Sequence, residues 1–152
     1  MILENLSAES KVWLYKSDRE LSDVEVTQME EALARFIPSW SSHGNRLFGG
    51  GVVLENRFLV IAVDEAMAGA SGCSIDTSVQ FVKSVGNQLN IDWFNRLKLI
   101  LRQGDKTKEI QFSELSRHSA WELYNPMVQT LGELRNSWLV PVGDFMEAQG
   151  IS

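Results

Sequence analysis

Two stretches of the chain are apolar at every position. Residues 12–15 read Val-Trp-Leu-Tyr, and residues 58–63 read Phe-Leu-Val-Ile-Ala-Val. A strand with one solvated face alternates apolar and polar residues, whereas a strand buried on both faces is apolar throughout. We therefore expect these two stretches to be neighbouring antiparallel strands with both faces covered.

Two helices are indicated by apolar residues spaced three and four positions apart. The first begins at a capping box formed by Ser22 and Glu25, and Pro38 ends or kinks it. The second is expected to begin near Ser74 or Asp76, because either side chain can accept hydrogen bonds from the first N–H groups of a helix.

The rest of the pattern predicts three more strands and a short helix. Residues 48–54 form a strand in which the glycines at 49–51 indicate a bulge or a frayed edge. Residues 97–102 and 108–112 form a hairpin. The short helix begins at a capping box, Thr130-Leu131-Gly132-Glu133.

This order of elements predicts an α+β fold in a single domain, residues 1–152. The expected core is a ferredoxin-like split βαβ (βαββαβ), with an extra strand and a C-terminal helical extension. The first and third strands would lie at its centre. The sheet face opposite the helices would be covered by the extension or by a partner subunit, and the tail after Asp144 would be loose.

Composition narrows the classes of function. A net charge of −6 and a pI of about 4.9, with dispersed Lys and Arg, argue against binding nucleic acid or a membrane surface. A single cysteine, no secretory signal and no apolar run near the roughly 20 residues of a membrane helix favour a cytoplasmic location. Cys73, His43 and His118 are not spaced as metal ligands, so we expect neither a metal nor another cofactor.

The loop that follows the second apolar stretch, residues 64–76, is the best candidate for a site. It contains the only cysteine, Cys73, just before or at a helix start, where unpaired amides favour a thiolate. In a split βαβ layout His43 lies at the same edge of the sheet. Cys73 could then act as a nucleophile with His43 as its base, oriented by Asp64 or another nearby carboxylate.

A second interpretation of the same loop is an anion or small-ligand site. Ser71, Gly72, Ser74 and Asp76 lie at the predicted helix start, and helix N-termini bind anions readily. A third interpretation needs no ligand, because Ser74 and Asp76 are also ordinary capping residues and a free cysteine is usually a small buried apolar residue. The sequence leaves all three open.

Several stretches carry a resemblance to a known family: residues 11–19, 40–44, 63–65 and 69–76. The most specific part is Gly-Ala-Ser-Gly-Cys-Ser-Ile-Asp at residues 69–76, and C-terminal matches follow at Asn125, Val128, Thr130, Glu133, Leu134, Trp138 and Pro141. Over nearly its whole length the chain resembles a family of short uncharacterised bacterial proteins whose members often carry the label "ABC transporter ATPase". The resemblance implies no catalytic or binding residues.

The label implies ATP hydrolysis, but the chain lacks the phosphate-binding motif that this reaction requires. A P-loop needs Gly-x-x-x-x-Gly-Lys-Ser/Thr, so that amides cradle the phosphates and the lysine reaches them. The chain has no such string, and Gly69-x-x-Gly72 lacks the lysine. ATP hydrolysis is therefore not expected.

Three classes of function remain. The first, which we favour, is a regulatory or binding module for a small anionic ligand, which could form a homodimer. The second is a small thiol-dependent enzyme. The third is a protein–protein adaptor without a pocket.

Overall fold

The computed structural model describes residues 1–66 and 68–151. Its elements, in chain order, are β1 (Lys11–Lys16), α1 (Asp23–Phe36), β2 (Ser41–Ser42), β3 (Asn45–Arg46), β4 (Phe48–Leu54), β5 (Phe58–Asp64), α2 (Gly72–Leu89), β6 (Lys98–Gln103), β7 (Lys106–Gln111), β8 (Glu122–Tyr124), α3 (Leu131–Ser137), β9 (Leu139–Pro141) and α4 (Val142–Ala148). Short 3₁₀ helices follow α1 and β7. The α+β class predicted from the sequence is confirmed.

The first sheet has the strand order β1-β5-β4, and all its pairs are antiparallel. β1 and β5 are neighbours, with Lys11 opposite Val63 and Lys16 opposite Phe58. Leu59 and Ile61 of β5 pack against the two long helices, whereas Val60 and Ala62 pack against the C-terminal extension. The prediction that the two stretches pair is confirmed, and β5 is central and buried on both faces. The prediction that β1 is also central and covered is wrong, because β1 is an edge strand whose Trp13 and Leu14 are only half-buried.

The second sheet has the order β7-β6-β8-β9 and is also antiparallel. Its β6–β7 hairpin is the one predicted from the sequence. The ferredoxin-like core, however, requires the strand after α2 to pair with β1, and β6 does not. β7 and β8 already occupy the two edges of β6. Among the described residues, the outer edge of β1 meets isolated bridges only, Lys11 to Thr130 and Lys16 to Phe94. The ferredoxin-like topology is therefore not confirmed.

Two expectations about element ends are corrected. The N-cap of α2 is Ser71, because its side chain accepts from the Ser74 amide and Ser74 completes the capping box, so α2 begins earlier than predicted. The tail after Asp144 is part of α4 rather than loose, since Val142 and Phe145 are buried in a cluster with the second sheet. Burial of Val142 and Phe145 stabilises α4 by more than the weak helix propensity of this short segment disfavours it.

The glycines of β4 are explained by close packing on both faces of the strand. A Cβ at Gly51 would lie 2.7 Å from Leu33 of α1, and a Cβ at Gly50 would lie 3.1 Å from Leu6. β4 pairs with β5 one residue to one along its whole length, so it has no bulge. It is the edge strand that the glycines suggested.

Candidate functional site

The loop between β5 and α2 is held by its two carboxylates. Glu65 accepts from the amide of Ala70 at 2.8 Å and pairs with Nζ of Lys11 at 3.0 Å. The hydrogen bond from Lys11, followed by that from the Ala70 amide, holds the pKa of Glu65 below its usual range. Asp64 accepts from the amide of Ala66 at 3.0 Å and so forms an Asx-turn. Both carboxylates therefore shape the loop.

The hydroxyls predicted to bind a ligand are used inside the loop. Oγ of Ser71 accepts from the Ser74 amide at 3.1 Å, and Oγ of Ser74 accepts from the Ser71 amide at 2.7 Å. Ser74 is buried, with 2% of its surface exposed. Gly72 and Asp76 are exposed on the first turns of α2. At the start of α2, the serine side chains therefore accept hydrogen bonds from backbone N–H groups of the same helix end.

Cys73 and His43 lie on elements that contact each other, α2 and the β2–β3 hairpin. Cys73 is exposed in the first turn of α2. His43 is exposed in the turn between β2 and β3, with a left-handed φ of 51°. Nε1 of Trp40 donates to the carbonyl of Ser74 at 2.8 Å, which ties this hairpin to α2. Within the described part of the chain, no hydrogen bond joins the thiol to His43.

Metal binding has no support in this loop or elsewhere among residues 1–66 and 68–151. No group of three His, Cys, Asp or Glu side chains there is arranged to hold a metal ion. The second histidine, His118, ends the 3₁₀ helix after β7, where it lies beside Lys108 and Trp121. It is remote in sequence from the Cys73 loop.

A larger feature, not predicted from the sequence, lies along the outer edge of β1. Because β6 does not pair there, a cleft of about 680 Å³ opens between β1 and the second sheet. Its walls come from β1, the segment before β6, β6 itself, the segment after β8, and α4. Its lining includes Tyr15, Lys16, Trp93, Arg96, Lys98 and Met127.

Three cations line this cleft, and none of its described lining residues is a carboxylate: Lys16, Arg96 and Lys98. Just outside the lining, Glu109 accepts from Lys16 at 2.9 Å, lies 3.9 Å from Nζ of Lys98 and is also bonded by Arg57. Burial would raise the pKa of Glu109, but the hydrogen bonds and charges of Lys16 and Arg57 lower it. Glu109 thus lies beside Lys16, Lys98 and Arg57, and Arg96 adds a fourth cation on this side, so the local charge is positive.

The apolar lining of the cleft includes two buried aromatic residues, Tyr15 and Trp93, and exposed residues at its rim. Burial raises the pKa of Tyr15, and the charge of Arg96 partly offsets that rise, so the phenol stays protonated close to a guanidinium. Trp93 is 1% exposed, and its buried Nε1 has no hydrogen-bond partner in the described structure. Met127 is 53% exposed at the rim. The cleft therefore combines apolar walls with positive charge.

Sequence reasoning missed this cleft because its residues are scattered from β1 to α4. No motif links them, and each is ordinary in its own segment. Two large apolar residues of its lining, Phe112 and Met127, are exposed in the structure, and nothing in their local sequence marks them. Only the pairing of β6 away from β1 turns them into parts of one surface.

Comparison with protein-family models, with curated proteins and with solved structures gave no match to the chain. The resemblance to the short bacterial family therefore stays a prediction. Among the described helices, none combines the length and the apolar character needed to cross a membrane.

Proposed function

We propose that the protein is a binding module for a small organic anion with an aromatic or aliphatic body. The observation that carries this proposal is the cleft beside β1, whose charged lining consists only of Lys16, Arg96 and Lys98. In a chain of net charge −6, a concave surface with only cations is a selective feature. Its volume of about 680 Å³ is within the range of about 300–1,000 Å³ typical of small-molecule sites.

The chemistry of the ligand follows from the walls. Leu14, Phe112 and Met127 supply apolar contact area, which favours a flat ring or an acyl chain. Arg96 and Lys98 are exposed at the rim and suit a carboxylate, sulfonate or phosphate.

The Cys73 loop is the alternative position for an anion. Its support is the exposed start of α2 at Gly72, whereas Ser71 and Ser74 already bond each other. The thiol-dependent enzyme is the second candidate function, and the exposure of Cys73 is what favours it. In either case we place the protein in the cytoplasm, because its single cysteine suits a reducing compartment.

A pair of matched fluorescent probes tests the cleft. The probes are 8-anilinonaphthalene-1-sulfonate and the neutral N-phenyl-1-naphthylamine, which has the same ring system without the sulfonate. We expect the anion to bind more tightly than the neutral probe. The double variant Arg96→Gln/Lys98→Gln should lose that preference while keeping the neutral probe, because the ring contacts remain.

Two controls make the result specific. Arg46→Gln removes an exposed cation away from the cleft, and Cys73→Ser changes the loop; neither should alter the preference for the anion. Equal binding of both probes to the wild-type protein would contradict the proposal. A preference lost in Cys73→Ser but kept in Arg96→Gln/Lys98→Gln would move the site to the loop.

A further inference from the structure

The outer edge of β4 is open. β4 is an edge strand of the first sheet, and in the described part of the chain no strand pairs with its other side. Its residues from Gly49 to Val52 are neither fully buried nor capped by another strand. The edge therefore presents backbone N–H and C=O groups that another strand can pair with.

The hydrogen bonds of β1 show which backbone groups of β4 point outwards, away from β5. Val12 donates its N–H to Gln129, on the side of β1 away from β5. Val12 lies opposite Ala62, and Ala62 lies opposite Gly50. Because backbone groups alternate in direction along antiparallel strands, Ala62 and Gly50 bond each other. The amides that point outwards are therefore those of Gly49, Gly51 and Val53.

This edge lacks the usual protection against pairing. Proteins protect open edges with charged residues, prolines, bulges or very short strands. β4 has seven residues, Phe-Gly-Gly-Gly-Val-Val-Leu, none of them charged or proline, and its register with β5 has no bulge. At its start the ring of Phe48 is 52% exposed, and Met1, which lies beside Gly49 and Gly50, is 80% exposed.

We propose that β4 pairs with β4 of a second copy of this chain, antiparallel about a two-fold axis. Two three-stranded sheets would then form one continuous sheet across the dimer. Pairing would satisfy the outward groups of Gly49, Gly51 and Val53 and would cover Phe48. This inference does not rest on the proposed ligand, since the cleft lies at β1, on the opposite edge of the sheet.

Charge at the two ends of β4 identifies the occupant as a second copy. Arg46 precedes the strand and Glu55 follows it, and both are exposed. In a two-fold antiparallel pair the beginning of one strand lies beside the end of the other. Each Arg46 would then lie near Glu55 of the other copy, twice by symmetry. Within one chain Glu55 lies 3.3 Å from Arg102, so Arg46 of the other copy would be a second cation beside the same carboxylate.

Sedimentation equilibrium over a range of protein concentrations tests the pairing. We expect a reversible monomer–dimer equilibrium for the wild-type protein. Phe48→Lys should raise the dissociation constant by at least about tenfold, which corresponds to about 1.4 kcal/mol. Leu97→Lys, which changes an apolar side chain that is 84% exposed on the other sheet, should leave it unchanged. A monomer at every concentration, or equal effects of both variants, would overturn the proposal.

Two further measurements remain informative if Phe48→Lys folds poorly. Hydrogen exchange of the wild-type protein should show Gly49, Gly51 and Val53 becoming more protected as concentration rises. Arg46→Glu and Glu55→Arg should each weaken the dimer, and the double variant should restore it. No concentration dependence at these amides, or no recovery in the double variant, would count against pairing through β4.

Discussion

The indole Nε1 of Trp40 donates a buried hydrogen bond to the backbone carbonyl of Ser74, 2.8 Å away. Trp40 is 2% exposed and follows the 3₁₀ turn after α1, while Ser74 is in the first turn of α2. This bond joins the ends of two helices that come close only in the folded chain. It positions the Cys73 loop relative to the β2–β3 hairpin that carries His43.

Trp40→Phe should lower the free energy of unfolding by about 1–3 kcal/mol, because it removes a buried hydrogen bond and part of a buried ring. Urea denaturation followed by circular dichroism measures the change. Trp121→Phe is the matched control, since Trp121 is only partly buried and its ring lies against His118. A loss at Trp40 no larger than that at Trp121 would contradict the role of this bond.

Gly86→Ala should destabilise the protein although it replaces glycine within a helix. Alanine gains about 1 kcal/mol in helix propensity. However, a Cβ at Gly86 would lie 2.6 Å from the backbone oxygen of Ile91, and a backbone atom cannot move aside as a side chain can. Overpacking of this kind costs about 1–3 kcal/mol.

Gly143→Ala is the control for that substitution. Gly143 lies in α4, and a Cβ there would meet nothing within 4 Å. The free energy of unfolding should therefore rise slightly in Gly143→Ala and fall in Gly86→Ala. If both variants are stabilised, the close approach of α2 to Ile91 is not as described.

The ion pair between Arg19 and Glu25 makes stability depend on acid pH. Two hydrogen bonds, of 2.8 and 2.6 Å, join the side chains, and chiefly the bond from Arg19 lowers the pKa of Glu25 from 4.5 to about 2. A carboxyl with a lowered pKa in the folded state stabilises it above its unfolded pKa and loses that contribution as pH falls. The loss should therefore occur between pH 4.5 and about 2.

Glu25→Gln checks this dependence, because glutamine keeps the capping hydrogen bond of this position but not the charge. The wild-type protein should be more stable than Glu25→Gln by about 1 kcal/mol or less at neutral pH, as is usual for an exposed pair. The difference should vanish near pH 2, whereas Glu30→Gln on the same helix should show no such trend. A difference that is constant with pH would refute the assignment.

Cys73 should react with iodoacetamide in the native protein, because its side chain is exposed. If α2 and His43 activate the thiol, the rate at pH 7 should exceed that of an ordinary thiol with a pKa of about 8.5. Mass spectrometry of the alkylated protein gives the rate. His43→Gln or Asp76→Asn should then slow it, and an ordinary rate that neither variant changes would remove the support for the thiol-dependent enzyme.

Purified protein should not hydrolyse ATP above background. No Gly-x-x-x-x-Gly-Lys-Ser/Thr string is present to hold the phosphates. A coupled assay for released phosphate measures this, with Cys73→Ser as the comparison variant. Turnover by contaminant-free wild-type protein that is abolished in Cys73→Ser would show that this expectation is wrong.

The sequence alone determined the features that depend on near neighbours in the chain. The continuous apolar stretches of β1 and β5, the capping box of Ser22 and Glu25 and the β6–β7 hairpin are all visible as local patterns, and the structure contains them. Even a local prediction failed where two serines competed: both Ser71 and Ser74 can cap a helix, and the reciprocal bond between them decided for Ser71.

Tertiary structure decided which strand edges meet. Whether β6 pairs with β1 or with β8 depends on competition between segments that are distant in the chain. The spacing of apolar residues within β6 does not predict which of the two pairings forms. Its pairing with β7 and β8 left the edge of β1 free for the cleft of Tyr15, Arg96 and Lys98. The sheet order also placed the glycine-rich β4 at an open edge. Local patterns fix the elements because they reflect hydrogen bonds and burial between neighbours, whereas sites form from surfaces that only the packed fold brings together.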